Sequence, residues 1–102
     1  MRKLCVFPLP INKEIKSFAI KKLTKIYFIY YKGNESLIKI KELLNVADED
    51  NLLYIKLYIG YIYFNLNKYN DSERELNGII EKNSNSSEAK QAIRKLMEIK
   101  NT

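Results

Sequence analysis

The sequence predicts an all-α fold of about five helices, arranged as stacked antiparallel hairpins. Three observations carry this. Apolar residues recur at i, i+3, i+4 and i+7 along much of the 102-residue chain. No segment alternates apolar and polar residues as a half-buried strand does, and only three glycines are present to build sheet turns. The breaks between periodic segments are short, which suits antiparallel helical neighbours.

The elements follow in order. Residues 1–12 hold two prolines and no period, and read as an irregular arm before a helical domain over 13–100. The first helix begins at Lys13, with Leu23, Ile26, Tyr27 and Tyr30 on one face, and Gly33-Asn34 breaks it. Leu37, Ile40, Leu43 and Leu44 make the stripe of a second helix. Ala47–Asn51 reads as a polar loop with capping residues. The third helix, Leu52–Leu66, has a core stripe of Ile55, Ile59, Ile62 and Leu66. Tyr54, Leu57, Tyr58, Tyr61 and Phe64 lie beside that stripe, so the helix is apolar around most of its circumference. Such a helix is buried on several sides or lines a groove. After the turn Asn67-Lys68-Tyr69, a fourth helix runs from Asn70 to Lys82 with Leu76, Ile79 and Ile80 inward. Asn85 and Glu88 form a capping-box pair for a fifth helix, Ser87–Lys100, whose inward face is Ala89, Ala92, Ile93 and Leu96.

A chain of this length makes one domain with one modest core. The net charge of +6 is uneven. Residues 1–34 hold eight Lys or Arg against Glu14 alone, whereas residues 35–102 hold ten against eleven acids. A basic first third attracts acidic protein, anionic lipid or nucleic acid. The plainer reading is a solvated face in a lysine-rich composition. Ile, Lys, Asn and Tyr, all with AT-rich codons, make up 48 of the 102 residues. Nucleic acid is disfavoured because the aromatics sit on helices without interleaved Arg. Cys5 is the only cysteine, which excludes an intrachain disulfide and favours a reducing compartment. Leu4–Ile11 contains Pro8 and Pro10 and is a poor signal peptide. The longest apolar runs fall far short of the roughly 20 residues that span a bilayer.

Displacing the chain by 36 residues superposes two helix pairs. Leu23 falls on Ile59, Ile26 on Ile62, Tyr27 on Tyr63, Ser36 on Ser72 and Ile40 on Leu76. A period of this size signals stacked hairpins, each burying its apolar face on the next. The second unit resembles a tetratricopeptide repeat. Ile59, Gly60 and Tyr63 match its first helix, Tyr69 the tyrosine after the turn, Ser72 its small residue and Leu76 its large apolar one. Gly60 admits close approach of the partner helix, and Ser72 keeps the crossing tight. The first unit carries Thr24 in place of that glycine.

A further resemblance covers residues 33–99. The helix Ser36-Leu37-Ile38-Lys39-Ile40-Lys41-Glu42-Leu43-Leu44, the turn Leu66-Asn67-Lys68-Tyr69, the pair Ile79-Ile80 and the Asn-rich turn before Ala89-Lys90 resemble the cytosolic domain of the mitochondrial fission 1 protein family. Membership would imply a non-enzymatic adaptor. It would recruit a dynamin-like GTPase or its linker to the mitochondrial and peroxisomal outer membrane for organelle fission. It would also imply a tail anchor following Thr102, and it allows weak self-association.

In tetratricopeptide stacks the first helix of each pair lines a concave groove. In this chain that places Phe18, Lys21 and Lys25 from the first unit beside Tyr54, Leu57, Tyr61, Phe64 and Asn65 from the second. Tyrosines offer a large apolar face and a polar tip at low entropy cost, and the lysines favour an acidic or amphipathic segment. The alternative to the fission reading is therefore a generic docking module of this kind for a cytosolic partner. Catalysis has little to stand on. The chain has no histidine, no Gly-rich phosphate loop and no Cys/His metal spacing, so no catalytic or metal residue and no cofactor is expected. Asp48-Glu49-Asp50 reads as a solvated cap.

Overall fold

The computed structural model describes residues 12–101. Five α-helices account for nearly all of them: α1 (Lys13–Tyr30), α2 (Gly33–Glu42), α3 (Glu49–Asn65), α4 (Tyr69–Lys82) and α5 (Ser87–Lys100). A short 3-10 turn, Leu43–Asn45, extends α2. Cys5 and the rest of the arm up to Ile11 lie outside the described residues.

Helix boundaries follow from local chemistry. The Asn12 side chain accepts the Ile15 backbone N–H at 2.8 Å and opens α1. The Asp48 backbone N–H donates to Asn51 Oδ1 at 2.9 Å, so α3 begins inside the stretch expected to be loop, at Glu49. Glu49 and Asp50 then occupy the first turn, where the helix dipole favours acids. Asn67 sits at φ 62°, the left-handed region that ends α3 and that Asn tolerates better than most side chains. The cap of α5 is Ser86, not Asn85: its Oγ accepts the Ala89 N–H at 3.0 Å.

Helix α3 packs against each of the other four helices. It joins two cores. Ile55, Ile59 and Ile62 meet Ile20, Ile40 and Leu43 from α1, α2 and the 3-10 turn. On its other side, Leu57 meets Leu76 and Ile79 of α4 and Ala89, Ala92 and Ile99 of α5. This is why α3 is apolar around so much of its circumference.

The 36-residue displacement also holds for the backbone, carrying Lys13 onto Glu49 and Gly33 onto Tyr69, the first residues of α3 and α4. Equivalent positions share burial: Ser36 and Ser72, Ile40 and Leu76, Leu43 and Ile79 are all buried. Between α3 and α4 the crossing is close. Ser72 Oγ donates to the Gly60 carbonyl at 2.8 Å, and a Cβ on Gly60 would lie 2.7 Å from Leu76 Cδ2.

Two expected faces are rotated. On α1 the buried residues are Ile20 and Thr24, with Tyr27 and Phe28 packed beside them, whereas Leu23, Ile26 and Tyr30 are exposed. The displacement explains the difference. Their equivalents Ile59, Ile62 and Leu66 are covered by the first hairpin, and among the described residues no element takes that position over α1. On α5, Ile93 is exposed and Ile99 takes its place in the core. Ala89 and Ala92, both fully buried, set the line of contact with α4, and Ile93 falls beside it.

Candidate partner-binding face

Helices α1, α3 and α5 supply the residues of one aromatic face. Phe18, Lys21 and Lys25 of α1 share a shallow cleft of about 210 Å³ with Lys22 and with Tyr54 of α3. The Lys21 ammonium lies 5.6 Å from the centre of the Tyr54 ring, within cation–π range. Salt bridges at the start of α3, Lys13 to Asp50 at 3.3 Å and Lys16 to Asp48 at 3.4 Å, brace the two helices at this end.

From Tyr54 the face continues along α3 as a tyrosine ladder. Tyr54, Tyr58 and Tyr61 stack in sequence, with ring centres 5.0 and 5.3 Å apart. Phe28 of α1 meets Tyr58 edge-on at 5.0 Å. At the far end α5 leans over the ladder. Lys95 Nζ lies 5.2 Å from the Tyr61 ring centre and 4.4 Å from that of Phe64, while pairing with Glu98 at 2.7 Å.

The chain matches no family model, no curated protein and no solved structure. The geometry alone therefore defines the face.

Of the eight residues expected to line it, Phe18, Lys21, Lys25 and Tyr54 meet in one cleft, and Tyr61 and Phe64 extend it beneath Lys95. Leu57 does not reach the face. It is 0% exposed and belongs to the core between α3, α4 and α5. Asn65 borders a separate cavity of about 350 Å³, where Phe28, Tyr31 and Gly33 face Ile62 and Leu66. Of the repeat-signature residues, Ile59, Gly60, Ser72 and Leu76 are buried at helix contacts away from the face, whereas Tyr69 packs on Phe64 at its end, the rings tilted by 57° with centres 5.5 Å apart. Tyr63 faces the other way, its hydroxyl 3.2 Å from Lys41 Nζ.

Besides Lys22, which stands next to Lys21 in the α1 cleft, three contributors were not among those eight residues. Tyr58 was legible, since it stands four residues after Tyr54 and three before Tyr61, on one helix face. Lys95 and Phe28 reach the face only through packing of α5 and α1 on α3, and nothing in their local sequence marks them.

Burial raises the Tyr58 hydroxyl pKa well above its ordinary value, and the hydrogen bond and proximity to Tyr54 raise it further. Tyr61 is raised by burial and then by the negative charge of Glu98, with Arg94 acting the other way. Both groups hold their protons more tightly folded than unfolded, so their contribution is intact below the ordinary tyrosine value of 10.0. It is lost as the pH rises from there through the folded values. Denaturant midpoints measured from about pH 9 to about pH 11.5 should fall for the parent chain and fall less for Tyr58→Phe. Parallel curves would show that Tyr58 is solvated like a free phenol.

What the face offers chemically is apolar area, hydroxyls and positive charge. Among the described residues no group of three His, Cys, Asp or Glu side chains is placed to hold a metal ion.

Proposed function

We propose that this chain is a non-enzymatic docking adaptor that binds an acidic, amphipathic protein segment on the face formed by α1, α3 and α5. The observation that carries the reading is the lysine-flanked ladder of Tyr54, Tyr58 and Tyr61. Its rings are half-buried and held by neighbouring aromatics, with Lys21 at one end and Lys95 at the other. Rigid aromatics lose little entropy on binding, and flanking cations select acidic partners and exclude basic ones.

The sequence resemblance to fission 1 proteins supplies the specific form of the proposal. The bound segment then belongs to a dynamin-like GTPase or its linker, and the site of action is the cytosolic face of the mitochondrial or peroxisomal outer membrane. No helix among the described residues is long and apolar enough to cross a membrane. Attachment in this reading depends on an anchor outside them.

The test is direct binding by purified components. The chain should capture a dynamin-like GTPase or its linker protein, and Tyr58→Ala should weaken capture by about thirtyfold, the effect of losing an aromatic anchor worth ~2 kcal/mol. Capture of an acidic amphipathic peptide but of neither protein would leave the docking module and remove the fission assignment. Binding that ignores Tyr58→Ala would remove the ladder as the site.

A further inference from the structure

The tyrosine ladder meets α1 through Phe28 and the cleft of Phe18, Lys21, Lys22 and Lys25, and from Phe18 outward, away from the core, the helix is left bare. Ile15, Phe18, Ile26, Ile29 and Tyr30 are each more than half exposed. At about 100° per residue they fall, with Leu23, inside one arc of about 140° along a helix about 27 Å long. Lys22 is the only charged residue within that arc. Scattered exposed apolar residues are ordinary, but a continuous strip of this size on one helix marks an interaction surface.

Charge indicates what covers it. Residues 12–34 carry six lysines and one acid, Glu14. Lys13 and Lys16 are paired with Asp50 and Asp48, whereas Lys21, Lys22, Lys25 and Lys32 form no ion pair among the described residues. A second copy docked strip to strip would bring two such lysine sets together and bury Lys22 against its own image. A bilayer surface imposes neither cost. Lys22 Nζ lies 5.6 Å from the centre of the Phe18 ring; its four-carbon stem is long enough to carry the ammonium to the phosphates, and Lys21, Lys25 and Lys32 border the same strip. Tyr30 suits the interface in the same way, ring inward and hydroxyl toward water. Apolar side chains on one face with lysines around them are the pattern of a helix lying in the plane of an anionic membrane.

We infer that the outward face of α1, centred on Ile15, Ile26 and Ile29, is a membrane-surface site that lays the domain on anionic lipid, bordering the protein-docking ladder at Phe18 and the cleft lysines. The orientation follows from the helix. With Ile15, Ile26 and Ile29 in the headgroup region, the core side of α1 points away from the membrane.

The test uses the full chain with vesicles of phosphatidylcholine alone and with about 30% phosphatidylserine. Co-sedimentation should occur with the anionic vesicles, be at least about tenfold weaker with the neutral ones and weaken with added salt. Ile26→Glu with Ile29→Glu should reduce partitioning at least about tenfold without moving the melting temperature, whereas Ile93→Glu, on the exposed side of α5, should bind like the parent. The chain has no tryptophan, so Ile29→Trp provides an independent reporter whose emission should shift to the blue on adding anionic vesicles. An emission that stays at its aqueous position, equal binding of the double variant, or equal binding to both vesicle types would overturn the inference. So would sedimentation velocity showing a dimer that the double variant splits, since a second copy would then be the occupant.

Discussion

Truncating Leu57 to alanine is expected to cost ~2–5 kcal/mol of folding stability, the largest effect foreseen for any residue placed on the partner face by its sequence. The side chain is fully buried in a core that it shares with Leu76, Ile79, Ala89 and Ala92 from two other helices. Two of those neighbours are alanines, whose short side chains cannot swing into the space left behind, so the cavity persists. Tyr61→Ala should behave in the opposite way. Its ring is half-buried, and its hydroxyl makes only a long 3.5 Å contact to Gln91. Its loss should therefore weaken partner binding by about thirtyfold and stability by less than Leu57→Ala does. Chemical denaturation and binding measured on both variants separate core from face. An unchanged denaturation midpoint for Leu57→Ala would show that α3 is rotated from the position described.

Gly60→Leu is the second large effect, expected to destabilise by ~1–3 kcal/mol through overpacking. Replacing a mid-helix glycine ordinarily gains up to about 1 kcal/mol of helix propensity, so the steric loss must exceed that gain. The geometry supplies it. A Cβ at this position meets Leu76 Cδ2 at 2.7 Å and Cγ at 3.0 Å. Leu76 is fully buried, so any shift of its side chain displaces its core neighbours, and the Ser72–Gly60 hydrogen bond of 2.8 Å ties the two helices at this separation. Combining Gly60→Leu with Leu76→Ala should cost less than the sum of the two single changes, because the second makes room for the first. Additive losses in denaturation experiments would show that the two residues do not touch.

The candidate face was legible where it lies within single helices. Tyr54 and Tyr61, and the Phe18, Lys21 and Lys25 set, could be read from spacing, and packing brings Tyr54 into the α1 cleft. Leu57 was misplaced because it lies only about 40° from Tyr61 on the helical wheel, at about 100° per residue. An arc that narrow passes from exposed face to buried core only according to where α4 and α5 sit. Asn65 follows Phe64 by one residue and turns to the other side of α3, into the cavity beside Gly33.

By itself the sequence determined the all-helical class, the number of helices, the span of α5 and the 36-residue relation between α1–α2 and α3–α4, while the start of α3 was read three residues late. These depend on hydrogen bonds and spacing within a few residues, such as Asn12 capping α1 and Asn67 accepting a left-handed turn. Only the tertiary structure decided which side of an apolar helix is core. Helix α1 carries apolar residues on two opposing sides, so its periodicity admits two solutions, and the one realised is the one that α2 and α3 cover. The same pattern of leucines and isoleucines that is buried at Ile59 and Ile62 is left exposed at Leu23 and Ile26. The physical reason is that burial belongs to a pair of surfaces, and one stretch of sequence specifies only one of them.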